Sequence, residues 1–177
     1  LLNELQEISE EMKSEEQIVF ISEFNSKISE IVANEPSPFI YERLGERYNN
    51  FLLDEFQDTS TLQWMNLLPL IDNSLSAGNF NLIVGDGKQS IYRWRNANVL
   101  QFNSLPLVNN PGNNPVIAER ENSLTRNYDG KVLDTNYRSL KEIVEFNNSI
   151  FGYLPGKLLS DEFRSIYSSQ HQKTKYQ

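Results

Sequence analysis

A chain of 177 residues has room for one domain or a little more, and its formal net charge of -8 argues against a protein coated all over with a nucleic-acid-binding basic surface. With no cysteine and a single histidine, it cannot build a disulfide framework, a zinc–cysteine site or a multi-histidine metal centre. No apolar run is long enough to span a bilayer and the acidic N-terminus is unlike a signal peptide, so a soluble cytoplasmic protein with no membrane partner is expected.

The charge is unevenly placed. Residues 1–35 hold nine acids against two bases, and the remainder is close to neutral. Between Gly85 and Arg95 three bases stand against one acid, so a local cationic site survives inside an acidic chain.

In chain order, the apolar positions Leu1, Leu2, Leu5, Ile8 and Met12 have helical spacing, and Ile18, Ile21, Phe24, Ile28, Ile31 and Val32 repeat it over residues 18–32. Both segments read as amphipathic helices with acidic outer faces. Glu35-Pro36-Ser37-Pro38 is a break, and Phe39 to Tyr48 reads as a short helix. Phe51-Leu52-Leu53 is a brief apolar run that ends in Asp54-Glu55. Residues 61–75 read as a helix, and Asn81-Leu82-Ile83-Val84 is a second apolar run ending in Gly85-Asp86-Gly87. Residues 103–115 read as loop. Lys131 to Thr135 is a third strand candidate, 140–151 a helix, and the polar tail from Ser165 is expected to fray. Short apolar runs alternating with helices predict an α/β fold with a parallel sheet, in which ligands bind beyond the carboxyl ends of the strands.

The chemistry-bearing residues fall at those ends. An apolar strand that delivers Asp54 and Glu55 at its tip suits nucleotide hydrolysis. One carboxylate can hold magnesium through water, and its neighbour can orient and deprotonate an attacking water. The plainer reading is two solvated acids at a strand end. After the second strand, Gly85 to Arg95 joins a glycine turn to Gln89 and then interleaves Tyr92 and Trp94 with Arg93 and Arg95. That mixture of stacking surface and cation suits single-stranded nucleic acid, although aromatic packing with snorkelling arginines would look similar. In Asp134-Thr135-Asn136-Tyr137-Arg138-Ser139, an aromatic beside an arginine can stack on a base and neutralise a phosphate, or Ser139 or Asn136 can simply cap a helix.

Asp54-Glu55-Phe56-Gln57-Asp58-Thr59-Ser60 resembles motif II of superfamily 1 DNA helicases of the UvrD/Rep type. Pro38 to Leu44 and Gln63-Trp64 are most similar to the AddA/RecB recombination helicase–nuclease branch. Val84 to Arg95 resembles motif III and Asp134 to Ser139 resembles motif IV, in the same order as in the family; Asn96-Ala97 departs from the commoner Arg-Gly-Ala ending. The resemblance implies a partial RecA-like motor with ATP and Mg2+ as cofactors. It gives Asp54 to the metal, Glu55 to water activation and Gln89 to coupling near the terminal phosphate. It gives Tyr92, Trp94 and Arg95 to single-stranded DNA, Tyr137 to the adenine, and Arg138 to the terminal phosphate from a second motor domain. Residues 1–35 would then be an acidic helical segment of an inserted subdomain, 36–130 the C-terminal part of the first motor domain, and 131–177 the start of the second with a polar tail. The implied partners are single-stranded DNA, or DNA with single-stranded ends, and a second subunit of a helicase–nuclease complex.

No phosphate-binding loop is present. Gly85-Asp86-Gly87-Lys88-Gln89 fails the pattern because Gln89 follows Lys88 and Leu82 occupies the earlier glycine position. The missing strand would leave a sheet edge unpaired, so either self-association or a truncated sheet covered by helices is expected. The competing reading is a non-catalytic, helicase-derived DNA-binding or interaction module, against which the intact Glu55 and Gln89 argue. The helicase reading requires three strand tips side by side, bringing Asp54, Glu55, Gln89 and Arg138 to one phosphate.

Overall fold

The computed structural model describes residues 2–20, 23–28, 41, 44, 47–168 and 171–175. Its centre is a strand–helix–strand unit. β1 (Leu52–Leu53) runs into helix α2 (Thr61–Ser76), which returns the chain to β2 (Leu82–Ile83). The strands pair in parallel with Leu52 opposite Leu82 and Leu53 opposite Ile83, and parallel neighbours need such a crossover. The ladder runs on at both ends, with Leu82 N–H donating to Phe51 O (2.9 Å) and Phe56 N–H to Val84 O (3.0 Å).

The start of α2 is fixed locally. Ser60 Oγ accepts the Gln63 N–H (3.2 Å) while Gln63 Oε1 accepts the Ser60 N–H (2.9 Å), a reciprocal capping box. From there Trp64, Leu68 and Ile71 recur at helical spacing and are buried with Phe56, Val108 and Leu124. Leu53, Ile83 and Phe102 close the cluster from the strand side. Helix α4 (Pro115–Asn127) packs against α2; Asn114 caps its first turn and Pro115 occupies a position where no N–H is needed. At the far end of the sheet Asn81 Oδ1 accepts the Phe51 N–H (3.0 Å) and Asn81 Nδ2 donates to Ser74 Oγ (2.9 Å), tying both strand starts to the end of α2.

One face of the strand pair is therefore covered, and the other carries exposed Leu52, Leu82 and Val84. The expectation of a sheet covered by helices holds for one side only. Parallel strands are normally buried on both sides, because their crossovers place helices there.

Helix α1 (Leu2–Glu16) is longer than the spacing of its apolar residues suggested, and none of its residues is buried. Residues 23–28 are helical, whereas 18–20 are not; the rest of the expected 18–32 helix, 21–22 and 29–32, lies outside the described residues. The expected helix between Phe39 and Tyr48 is described only at residues 41, 44 and 47, which are helical, and at Tyr48, which is not. Asn66 of α2 anchors both segments, its Nδ2 donating to Asn25 O (3.2 Å) and its carbonyl accepting from Tyr41 OH (2.7 Å).

The C-terminal third departs most from expectation. Residues 131–134 are not strand; β3 is Thr135–Asn136, and it pairs in parallel with β4 (Lys173–Thr174) rather than with β1 or β2. The three strand tips are thus not side by side. Helices α5 (Lys141–Tyr153), α6 (Pro155–Leu158) and α7 (Asp161–Ser168) bring the chain back, and Lys173 N–H donates to Asp134 O (2.7 Å) beside an exposed Lys173–Asp134 ion pair (2.5 Å). Among the described residues the tail does not fray from Ser165: Ile166 is buried, and α7 packs on α3 (Val99–Asn103) and on the 87–89 turn. The stretch read as loop from 103 to 115 contains the end of α3 and the start of α4.

Candidate nucleotide and nucleic-acid site

The parallel pairing sets the tips of β1 and β2 next to each other. Asp54 is exposed, and its Oδ1 accepts the Glu55 N–H (2.9 Å). Glu55 is in the left-handed region (φ 52°, ψ 39°) and leads into a 3-10 turn at Phe56–Asp58. Such a conformation costs a non-glycine residue roughly 1–2 kcal/mol, so the neighbours must hold it. They do so through Gln57, whose side chain is fully buried: Nε2 donates to Glu55 Oε2 (2.6 Å), and Oε1 accepts the Asp86 N–H (3.0 Å).

Asp86 organises the second tip. Its carboxylate accepts from Lys88 N–H (3.1 Å) and Gln89 Nε2 (3.2 Å), and pairs with the Lys88 ammonium. A hydrogen-bonded path thus runs from Glu55 through Gln57 and Asp86 to Gln89. Gly85 makes the path possible, because a Cβ there would lie 2.7 Å from Gln57 Oε1 and 3.1 Å from the Phe102 ring. Burial works to raise the Asp86 carboxyl, but the hydrogen bonds from Lys88 and Gln89 outweigh it and hold the group below the usual carboxylate range. A lowered folded value contributes stability above the unfolded value of about 3.9, and that contribution is lost as pH falls through the lower folded value. The Lys88 amide resonance is therefore expected to titrate with a midpoint below about 3.9, and Asp86→Asn is expected to abolish that transition.

Tyr92, Arg93, Trp94 and Arg95 follow on an exposed 3-10 turn. The Arg95 guanidinium lies 4.6 Å from the Trp94 ring centre and 5.6 Å from that of Tyr92. Asn96 ends the turn in the left-handed region (φ 63°), which explains its place where glycine is commoner: asparagine also tolerates that conformation. The turn docks on the segment after Asp58, through a bridge between Ser60 and Ala97, Asn98 N–H to Thr59 O (3.1 Å) and Asn98 Nδ2 to Thr61 Oγ1 (3.1 Å).

Tyr137 and Arg138 lie elsewhere. Both are exposed just after β3, where the Lys175 ammonium sits 5.2 Å from the Tyr137 ring centre and Asn136 Oδ1 accepts the Arg138 N–H (2.9 Å). Among the described residues no hydrogen bond or ion pair joins the Arg138 side chain to Asp54, Glu55 or Gln89. The required arrangement of three adjacent strand tips is therefore not met: the tips of β1 and β2 adjoin, and Arg138 follows a strand of the other sheet. The cause is the short polar Thr135–Asn136 strand, which finds its ladder with β4 instead of extending the apolar pair.

Sequence reasoning missed Gln57, whose only signal was a polar residue inside a run that had to turn back on the core. A cavity of about 430 Å3 opens beside Glu55 and Asp58, walled by Tyr41, Leu44, Asn66 and Leu67, and leaves room for solvent at the Glu55 carboxylate. Among the described residues no cluster of three or more acidic or histidine side chains gathers to hold a metal. Exposed Asp54 fits the way Mg2+ is usually bound with nucleotides, through one carboxylate with water and phosphate completing the shell. No described helix is long and apolar enough to cross a membrane.

A parallel strand pair with its candidate residues at the carboxyl tips is an α/β arrangement. The chain belongs to the UvrD/REP helicase family, whose N-terminal-domain model matches residues 1–106. It is 32% identical over 134 residues to the RecBCD enzyme subunit RecB of Chlamydia trachomatis, covering 76% of this chain and 11% of that protein. It is 34% identical over 131 residues to the exonuclease/helicase subunit RexA of Lactococcus lactis, covering 72% and 9%. Against an ATP-dependent helicase/nuclease subunit of Streptococcus uberis it is 31% identical over 144 residues, covering 80% and 10%. The chain thus spans between 9% and 11% of the length of these relatives.

Proposed function

We propose that this chain is the part of an ATP-dependent DNA helicase of the RecB/AddA kind in which the nucleotide-sensing and single-strand-binding segments meet, acting in repair or recombination. The observation that carries the reading is the pairing of β1 with β2, which sets Asp54-Glu55 beside the Asp86–Gln89 turn, with the 92–95 turn docked on the same segment. In this reading residues 54–60, 84–95 and 134–139 are motifs II, III and IV of the family. Residues 36–130 are the C-terminal part of a RecA-like first motor domain, 1–35 an inserted helical segment, and 131–177 the start of the second motor domain.

The roles follow from chemistry. Asp54 holds Mg2+, which when bound would offset phosphate charge. Glu55, held by Gln57, orients and deprotonates water. Gln89 reads the terminal phosphate without adding charge. Tyr92, Trp94 and Arg95 contact unstacked bases and backbone. Tyr137 and Arg138 serve the nucleotide only if the β3–β4 unit moves toward the first sheet, and an arginine delivered by motion would couple hydrolysis to translocation. The partners are single-stranded DNA and a second member of a helicase–nuclease complex.

A second reading, a non-catalytic DNA-binding or interaction module, is favoured by the separation of Arg138 from the first sheet. Binding of an oligothymidylate that weakens with added salt is expected of the 177-residue chain. Failure to bind at low salt overturns both readings as they concern DNA. ATP hydrolysis by this chain is expected to be negligible, because no backbone nest and lysine hold the β- and γ-phosphates. A DNA-stimulated ATPase abolished by Glu55→Gln would overturn that expectation.

A further inference from the structure

We infer that Gln57 is a positioning residue whose carboxamide locks the Glu55 carboxylate to the Asp86–Gln89 turn, so that a displacement of one is felt by the other. The catalytic meaning of this link rests on the reading of Glu55 as the water-orienting group; the link itself rests on geometry. Gln57 has 0% exposure, so each end of its amide must find a partner inside the protein. Nε2 donates to Glu55 Oε2 at 2.6 Å and more weakly to Asp58 Oδ2 at 3.4 Å, and Oε1 accepts the Asp86 N–H at 3.0 Å.

These partners leave one orientation of the amide. Turned by 180°, it would set an oxygen against two carboxylates and an NH2 group against an N–H. The link is therefore polar at both ends and cannot swap. It is also closely fitted: a Cβ on Gly85 would lie 2.7 Å from Oε1, and the Gln57 carbonyl accepts from Ser90 Oγ (3.4 Å) on the far side of the same turn. Asp86 passes the constraint on, since its carboxylate holds Gln89 Nε2 at 3.2 Å. A buried amide that merely filled space would not need one partner on a strand-tip carboxylate and the other on the neighbouring tip's backbone. Among the described residues, Gln57 provides the one hydrogen bond to the Glu55 carboxylate.

The test is hydrogen exchange of the Asp86 amide, read by NMR in the full 177-residue chain. Glu55→Ala removes the acceptor that orients the Gln57 amide and is expected to speed Asp86 exchange by about tenfold, the size of one charge-assisted hydrogen bond. Glu55→Gln keeps an acceptor oxygen and is expected to retain most of the protection. In a Gln57→Met background Asp86 exchange is expected to be fast already, and Glu55→Ala is expected to add nothing. Equal Asp86 protection in Glu55→Ala and the unaltered chain overturns the link, as does an additive response in the Gln57→Met background. If Gln57→Met fails to fold, the contrast between Glu55→Ala and Glu55→Gln decides alone. Oligothymidylate binding measured on the same samples separates the two claims. Coupling lost with DNA binding intact overturns the link and leaves the helicase reading. Coupling present with no DNA binding supports the link and removes its catalytic meaning.

Discussion

Replacing Trp64 with alanine is expected to lower the unfolding free energy by about 3–5 kcal/mol, a large share of the roughly 5–15 kcal/mol available to a domain of this size. Trp64 has 0% exposure and meets Phe56 edge-to-face at 5.0 Å between ring centres. Phe56 lies between Glu55 and Gln57, so the ring that supports the core also supports the candidate site. Removing the indole leaves Phe56 without its wall and lets the 3-10 turn at 56–58 relax. Trp64→Phe keeps an aromatic edge and discards an indole N–H that has no hydrogen-bond partner among the described residues. It is therefore expected to cost clearly less than the alanine change. Urea unfolding followed by circular dichroism measures both. A loss below about 1 kcal/mol for Trp64→Ala, within the range of surface substitutions, would show that the core does not depend on this ring.

The largest functional effect is expected on DNA binding, from Trp94→Ala. Trp94 is 72% exposed and has Tyr92 6.2 Å away between ring centres, with the Arg95 guanidinium over both rings. A base stacked on such a ring contributes about 1–3 kcal/mol, so the alanine change is expected to weaken oligothymidylate binding by roughly 5- to 150-fold. The chain has 2 tryptophans, and the other, Trp64, is fully buried. Quenching of tryptophan fluorescence on binding therefore reports Trp94 and is expected to vanish in the variant. Arg95→Gln is expected to weaken binding and to reduce the salt dependence by about 0.7 in the logarithmic slope, the share of one phosphate contact. Arg95→Lys keeps that charge but loses the planar stack, so affinity should fall while the salt slope holds. Unchanged affinity in Trp94→Ala would remove the 92–95 turn from the DNA-binding surface.

The elements that carry their own signal were legible in the sequence. Helix α2 was read from the spacing of Leu62, Met65, Leu67, Leu68 and Ile71, a local pattern, while the Ser60–Gln63 capping box that starts it went unread. β1 and β2 are apolar runs ended by acids and glycine. β3 and β4 carry no such signal: each has two residues, and Thr135–Asn136 and Lys173–Thr174 become strands only because α5, α6 and α7 bring them together. Helix α4 was missed, because Asn114-Pro115 was read as part of a loop, its apolar positions are sparse and its burial rests on α2. Within the site, the nearness of Asp54-Glu55 to the Gly85–Gln89 turn followed from parallel pairing of the runs before them. The burial of Gln57 did not, since its two partners lie 2 and 29 positions away along the chain and only the folded turn brings them to one amide. The separation of Arg138 was hidden for the same reason as β3.

Paramagnetic broadening by Mn2+ asks most directly whether the two strand tips are walls of a single cation and phosphate site. In amide spectra of the chain, resonances from 54–57 and from 86–89 should fade together over one Mn2+ titration, and Asp54→Asn should protect both sets at once. Fading at 54–57 while 86–89 stay sharp, or an Asp54→Asn chain that broadens as before, would mean that the tips of β1 and β2 do not share an ion.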